Sequence, residues 1–489
     1  MRLGESAPES TGPLPASHGR DGGAFGSVIA RACLCLALLL ASPATADEAR
    51  SPEQQLARDI YAELIGIDTT HSTGSTTVAA DAVAKRLRAG GFAAADIRQL
   101  GPSAAKGNLV ARLHGSGARR PLLLLAHLDV VEAKREDWSV DPFTLLERDG
   151  YFYGRGTLDD KCMAAIFITT MVRMKQQGII PNRDVILALT ADEESGPENG
   201  VDWLLHNHRD LVDAELVLNE GGGGRMRAGK YLLNGIQASE KTYTNFLLEV
   251  TNKGGHSSLP TKDNAIYRLA AGLGRLERYA FPLELNEVTR AYFERSAQTE
   301  SGQTAADMTA LLRDPPDAAA AARLSETPAF NALLRTTCVP TLLEGGHAEN
   351  ALPQRARATI NCRILPGHGT DEVRQTLVRV LGDDQISITE PEPAVVAPAS
   401  PLDAGLLHAV ETVTAAMWPG VPIVPTMSSG ASDSRYFRNA GINAYGISGI
   451  FVDMDDIRAH GKDERLGVRQ FYEGVEFLHR LVLALSTSP

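Results

Sequence analysis

The chain has 489 residues, 43% hydrophobic and 22% charged, an ordinary globular composition with room for one to three domains. Its formal net charge of -12 argues against a nucleic-acid partner, which would need a basic footprint. The same charge leaves the sign of any local site open, because a pocket can be basic on an acidic protein.

Residues 1–46 differ from the rest. Residues 1–28 are rich in Gly, Pro, Ser and Ala, Arg31 precedes the apolar run 32–40, and Ala44-Thr45-Ala46 fits the cleavage pattern of a secretory signal. That run is too short to span a bilayer, so no stable membrane span is expected. The expectation is secretion, most simply to a bacterial periplasm. The lead before Arg31 is long for such a signal and points to a start downstream of Met1. Cys33 and Cys35 would leave with the leader. Of Cys162, Cys338 and Cys362, at least one thiol stays free or pairs between chains. Cys338–Cys362 is a candidate disulfide that spacing alone cannot establish. No cysteine pair has zinc-site spacing.

In chain order, 51–67 has helical spacing, with Ser51-Pro52 as a good start. A second helix is expected over 78–89, ending at Gly90-Gly91. The stretch 108–115 alternates like a strand, and 121–131 is nearly all apolar, the mark of a strand covered on both faces. A helix at 164–178, a buried strand at 184–194, a helix at 201–208 and a buried strand at 214–222 follow. Strand and helix in turn predict an α/β fold with crossover helices.

From about 240 the pattern changes to half-exposed alternation at 241–254 and 356–367. Helices are expected at 264–280 and 370–382, and a short strand at 385–390. The Ala-rich stretch 305–325 reads as helices in a long insert. From 403 the first pattern resumes, with a helix at 403–417 and a closing helix at 469–485. The domain reading is a leader at 1–46, an α/β unit in two parts, 47–237 and 395–489, and an inserted α+β domain at 238–394.

Ligands of such sheets bind at the carboxyl ends of the strands. There the sequence places His127 and Asp129, Glu193 and Glu194, and Glu220 before four glycines. Asp159 and Asp160 sit at the start of the helix beginning near 162. So many carboxylates in one crevice would repel one another unless cations were bound. Mixed carboxylate and imidazole donors suit zinc, with manganese or cobalt as substitutes. Two ions sharing a carboxylate and a water make a hydrolytic site, with a nearby glutamate as proton acceptor. Asp129 either ligates or orients His127. Read singly, each acid is equally well a solvated loop group or a helix cap; their recurrence at strand ends favours the site. No nucleophile elbow and no phosphate-binding glycine loop is present.

The stretches AHLDVV, DGYFYGRGTLDDK, ADEESG, LNEGG, GGHSSLP, ENALP and RILPG resemble the M20 metallopeptidases, in particular their carboxypeptidase S-like branch, over roughly 50–485. The resemblance implies a catalytic domain carrying two zinc ions on a mixed, mostly parallel sheet, and an inserted lid that mediates a homodimer. One metal would be held by His127 and Glu220, the other by Glu194 and His460, with Asp159 bridging and a cis peptide bond after it. Glu193 would be the general base and Asp129 would orient His127. His256 in GGHSS would stabilise the oxyanion, often in the partner's site. Arg363, Asn350 and Gly430, the last in SGASDSR, would contact substrate. Without the resemblance, His256 and Asn350 read as turn residues. His479 reads as an ordinary surface residue. Two features depart from the pattern: the insert at 290–345 is longer than a minimal lid and is expected to reshape the cleft, and Cys162 stands where glycine is common.

The leading expectation is a carboxypeptidase or dipeptidase that cleaves the amide bond next to a free carboxylate. The alternative is an N-acyl-amino-acid hydrolase on the same scaffold, since both substrates present the same scissile bond. A binding protein that kept the fold without catalysis would lack Glu193 or a ligand, and all are present.

Overall fold

The computed structural model describes residues 50–487, and the leader reading of 1–46 lies outside them. Ser51 starts the first helix, Pro52–Ile65: its hydroxyl accepts from the Gln54 amide N–H, and the Gln54 side chain accepts from the Ser51 N–H.

The three apolar runs form neighbouring parallel strands, with Leu122–His127 between Val185–Thr190 and Leu216–Asn219. Every residue of the three is buried. Alternate side chains enter different cores. Leu122, Leu124 and Ala126 pack with helices Lys161–Gln176 and Val468–Thr487 on one face. Leu123 and Leu125 pack with helices Gly200–Asn207 and Ser434–Asn439 on the other. Around this centre a ten-stranded mixed sheet is built: Asn443–Gly446 runs parallel to the three central strands, and their carboxyl ends share one edge, while the parallel pair Lys230–Glu240 and Ile423–Ser428 runs the opposite way.

The second sheet has four antiparallel strands in the order Thr337–Gly345, Arg355–Ile364, Thr242–Thr251, Ser387–Thr389. Its alternation is realised as read: Phe246, Leu248, Ala358 and Ile360 face helices Ala265–Glu277 and Thr370–Leu381 in a separate core. Strand Lys230–Glu240 still belongs to the large sheet, so the change of sheet falls at Lys241, a few residues beyond the expected 237/238. Cys338 and Cys362 lie opposite each other on adjacent strands and are disulfide-bonded, and Cys162 is free and buried.

The long insert contributes helices Glu287–Ser296, Gly302–Leu311, Ala318–Ser325 and Pro328–Leu334 around Phe293, Met308 and Leu324. The first of them packs along strand Ile423–Ser428 of the large sheet, where Arg295 Nη1 donates to the Ile423 carbonyl at 3.0 Å. The insert was expected to reshape the cleft; its packing is against this strand. His479 was expected on the surface and is instead buried on the inner face of helix Val468–Thr487, where burial pushes its pKa down to about 4. No helix of the described residues is long and apolar enough to cross a membrane.

Candidate metal centre

His127 closes its strand. Its Nδ1 lies 3.0 Å from the main-chain carbonyl of Asp129. A carbonyl only accepts, so Nδ1 carries the proton and Nε2 is left to face Asp159 Oδ1, 3.1 Å away. The other oxygen of that carboxylate, Oδ2, lies 3.0 Å from His460 Nε2, which is also 3.0 Å from Glu194 Oε1. Asp159 therefore stands between two imidazoles, one on each oxygen. The peptide bond from Asp159 to Asp160 is cis. Glu220 completes a triad with His127 and Asp159, and Glu194 a second with Asp159 and His460; within each, donor atoms lie within 4.8 Å of one another. Glycines follow Glu220 because a side chain there has no room: a Cβ on Gly222 (φ 60°) would lie 2.3 Å from the Gly446 carbonyl oxygen.

Two triads sharing one carboxylate, all oxygen and imidazole donors, form a set that fits two divalent cations. The electrostatics agree. Burial drives the Glu220 pKa well above the usual carboxylate range, with Asp159 and Glu193 adding to it. Hydrogen bonds that His460 donates to the carboxylates of Asp159 and Glu194 lift its pKa to about 10. Burial opposes a charge on His127, yet Asp159, Glu220 and Asp129 together hold its pKa well above the ordinary imidazole value. Without a cation, only protons can balance this cluster.

Asp129 meets His127 Nδ1 through its carbonyl at 3.0 Å, with its carboxylate Oδ1 3.7 Å from the same nitrogen, and that carboxylate accepts from the amides of Glu193 (3.2 Å) and Glu194 (3.0 Å). It sets the turn that carries both glutamates. Burial pushes Glu193 well above the usual carboxylate range, and Asp433 is the largest neighbouring charge in the same direction. Asp433 is buried, accepts from Asn199 Nδ2 at 2.6 Å, and is itself pushed up to about 6 by burial. Asp433 was missed: in SGASDSR it reads as one more turn residue, and only packing brings it behind Glu193. Cys162, next to the centre, is kept a thiol by burial, and its Sγ donates to the Leu158 carbonyl at 3.2 Å.

Arg363 lies with its guanidinium over the Tyr243 ring, 4.6 Å from the centroid, and donates to the Ser429 carbonyl beside Gly430. With Arg435, Pro393 and Val395 it lines a cavity of about 270 Å³. A second cavity, about 180 Å³, opens directly beside Asp159 and Glu220 and is walled by Leu158, Met163, Ile450, Val452 and Ile457. His256 and Asn350 lie together on the exposed ribbon that pairs Gly255–His256 with Ala351–Leu352. Among the described residues, no hydrogen bond joins either side chain to the metal cluster; His256 Nδ1 accepts from Ser258.

Comparison with known proteins agrees with this geometry. The family model of peptidase family M20/M25/M40 matches residues 123–484. The human N-fatty-acyl-amino acid synthase/hydrolase PM20D1 is 31% identical over 375 residues, 74% of each chain. The probable carboxypeptidase S-like 2 of Dictyostelium discoideum is 29% identical over 379 residues, 74% of this chain and 71% of the relative. Among solved structures, the M20 family metallo-carboxypeptidase Sso-CP2 of Sulfolobus solfataricus superposes with a TM-score of 0.65 at 18% identity, covering 87% of this chain and 98% of that one.

Proposed function

Because the chain belongs to peptidase family M20/M25/M40 and is a metal-dependent hydrolase, we propose that it cleaves the amide bond joining an apolar acyl group to an amino acid with a free carboxylate. The observation that carries this reading is a pair of unlike cavities, one around Arg363 and one beside the metal ligands. The cavity around Arg363 is also lined by Lys241, Arg435 and Glu240; the one beside Asp159 and Glu220 is walled by Leu158, Met163, Ile450, Val452 and Ile457, with Arg225 as its one basic residue. An N-acyl amino acid lying across the centre presents its carboxylate to the first and its acyl chain to the second. A dipeptide would also bring an α-ammonium into this second cavity, where Arg225 presents a like charge and Asp159 and Glu220 are committed to the metal triads. The human relative is named for fatty-acyl amino acids, which supports the same choice. Carboxypeptidase action is the second reading, supported by the carboxypeptidase S-like relative.

His127 and Glu220 would hold one ion, Glu194 and His460 the other, and Asp159 both. Two zinc ions, with manganese or cobalt as substitutes, would supply a polarised carbonyl and a water acidic enough to ionise near neutral pH. Glu193 takes the proton of the attacking water and returns it to the leaving nitrogen; a carboxylate with a raised pKa suits both halves of that task. Arg363 grips the substrate carboxylate with its planar fork, beside Gly430. The partner subunit's His256 would donate to the developing oxyanion, with Asn350 alongside. Dimer formation through the second sheet is supported by its outer strand, Thr337–Gly345, which leaves Val339, Leu342 and Leu343 exposed next to Ile266 and Tyr267. Export is part of the same proposal: Arg31, the run 32–40 and Ala44-Thr45-Ala46 support it, and a disulfide suits an oxidising compartment. N-terminal sequencing from the native host should then begin at Asp47; a cytosolic chain retaining its leader refutes export.

The test is a panel of acetyl, octanoyl and hexadecanoyl amino acids beside dipeptides. The kcat/KM should rise with acyl length and exceed that for dipeptides. A preference for dipeptides transfers the assignment to the second reading, and no turnover of any free-acid amide refutes both.

A further inference from the structure

Four residues beyond His460, Glu464 is buried among the loops that carry the metal ligands. Its Oε2 accepts from Arg155 Nη1 at 2.6 Å and from the Gly156 amide at 3.1 Å. Its Oε1 accepts from the amides of Leu158 at 2.6 Å and Asp159 at 3.1 Å. Every donor comes from the loop that ends in the bridging aspartate, and that loop answers in kind: the Gly154 amide donates to the Glu464 carbonyl at 3.1 Å. Arg155 spreads the link further. Its Nη2 donates to the carbonyls of Gly461 (3.1 Å), His460 (3.4 Å) and Glu132 (3.4 Å), the last lying in the segment that leaves the His127 strand. The guanidinium also rests 5.0 Å from the Trp138 ring centroid. Side-chain exposure is 2% for Arg155 and 1% for Glu464.

A buried pair of this kind is a costly way to add stability, because both charges leave water. It is an effective way to fix distances, because its donors and acceptors are directional: both Glu464 oxygens and both terminal nitrogens of Arg155 are engaged, and only the buried Arg155 Nε is left without a partner among the described residues. The three segments that it ties together carry His127, Asp159 and His460. Those residues must meet within hydrogen-bonding distance although they are far apart in sequence. His460 itself has φ 63°, a left-handed conformation that a non-glycine residue keeps only when its surroundings hold it. Its carbonyl is one of those that Arg155 holds.

We propose that Arg155 and Glu464 are positioning residues of the metal centre, clamping the bridging Asp159 and the ligand His460 at the separation two ions require. They touch neither substrate nor ion, and act through the main chain of the ligands. The proposal rests on the two-ion reading of the centre.

The test is metal binding rather than turnover alone. Metal-stripped wild type, Glu464→Gln and Arg155→Lys are titrated with zinc against a chromogenic chelator. Their melting temperatures are recorded with and without zinc, and kcat and KM at saturating zinc. The glutamine keeps the shape but sets an NH2 group against N–H donors. The lysine keeps the charge but loses the fork. Each folded variant should bind zinc about 10–100-fold more weakly, as losses behind metal ligands do. The rise in melting temperature on adding zinc should shrink, and kcat should fall with KM little changed. A merely structural pair would lower the melting temperature equally with and without zinc and leave zinc affinity alone. Zinc affinity within twofold of wild type in either folded variant overturns the proposal. If Glu464→Gln does not fold, Arg155→Lys and Glu464→Asp decide by the same criterion. Wild type that binds fewer than two ions would sink the two-ion reading itself, a result distinct from unchanged affinity in the variants.

Discussion

Arg363 Nη1 donates to the carbonyl of Ser429 at 3.2 Å, so a residue of the second sheet touches the loop that precedes Gly430 and Asp433 on the large one. Burial lowers its pKa from the usual arginine value, the mark of a guanidinium partly withdrawn from water. A carboxylate arriving there gains a charge-assisted partner in a sheltered place. Arg363→Ala should cost about 2–5 kcal/mol in kcat/KM, the range for truncating one side of a desolvated pair. On a free acid and its C-terminal amide, wild type should prefer the acid strongly and the variant should lose most of that preference. An unchanged acid-to-amide ratio would remove Arg363 from the carboxylate site.

Glu193→Gln should retain both metals and lower kcat by roughly 10²–10⁴-fold. The pH dependence follows from the same residue. Burial, then Asp433, raise the Glu193 pKa, so its basic form is lost at a higher pH than for an ordinary carboxylate as the solution is acidified. The acid limb of kcat/KM should lie above the usual glutamate range. Asp433→Asn removes one of the charges that raise it and should move that limb to lower pH. A limb that stays in place in Asp433→Asn would show that another group controls it.

His256 lies on an exposed ribbon, bonded to Ser258 rather than to its own metal cluster. If it serves the neighbouring site, His256→Ala and Glu193→Gln should each be nearly inactive. Mixed dimers of the two would hold one site with both lesions and one with neither. Activity should return toward half of wild type per mixed dimer. Mixtures shown to exchange subunits without regaining activity would place His256 in its own site or outside catalysis.

The Cys338–Cys362 bridge closes a loop with a sequence separation of 24 residues. In the chain-entropy account a loop of that size contributes about 3 kcal/mol. Replacing both cysteines by serine should lower the urea midpoint of the second sheet's unfolding by a corresponding amount. Equal midpoints would mean that the bridge adds nothing to the folded state.

The fold was legible where burial leaves a one-dimensional trace. Leu122–Leu125 and Val185–Leu189 are apolar on successive residues because the two cores lie on opposite faces of their strands. His127, Glu193, Glu194 and Glu220 were legible because each closes or follows such a strand, where polar residues are otherwise out of place. Asp129 was legible as a neighbour of His127; that its carbonyl comes nearer than its carboxylate depends on the path of the main chain after the strand. Asp433 and Glu464 left no trace. Their partners are 234 and about 306 residues away in sequence, and nothing local marks an acid that such partners will bury. His479 was misjudged because a single histidine on an amphipathic helix carries no sign of which face it takes.

The helical insert also bears on how the chain avoids its own kind. Strand Ile423–Ser428 pairs on one side with Lys230–Glu240, and on its other flank helix Glu287–Ser296 runs alongside, with Arg295 bonded to the Ile423 carbonyl. A strand left bare on that flank would be a template for an extended segment of another molecule, and natural sheets cover such strands with helices or loops. Trimming 287–334 to obtain a smaller lid would therefore uncover main-chain donors and acceptors on the catalytic sheet, and the shortened enzyme would be prone to aggregate through them.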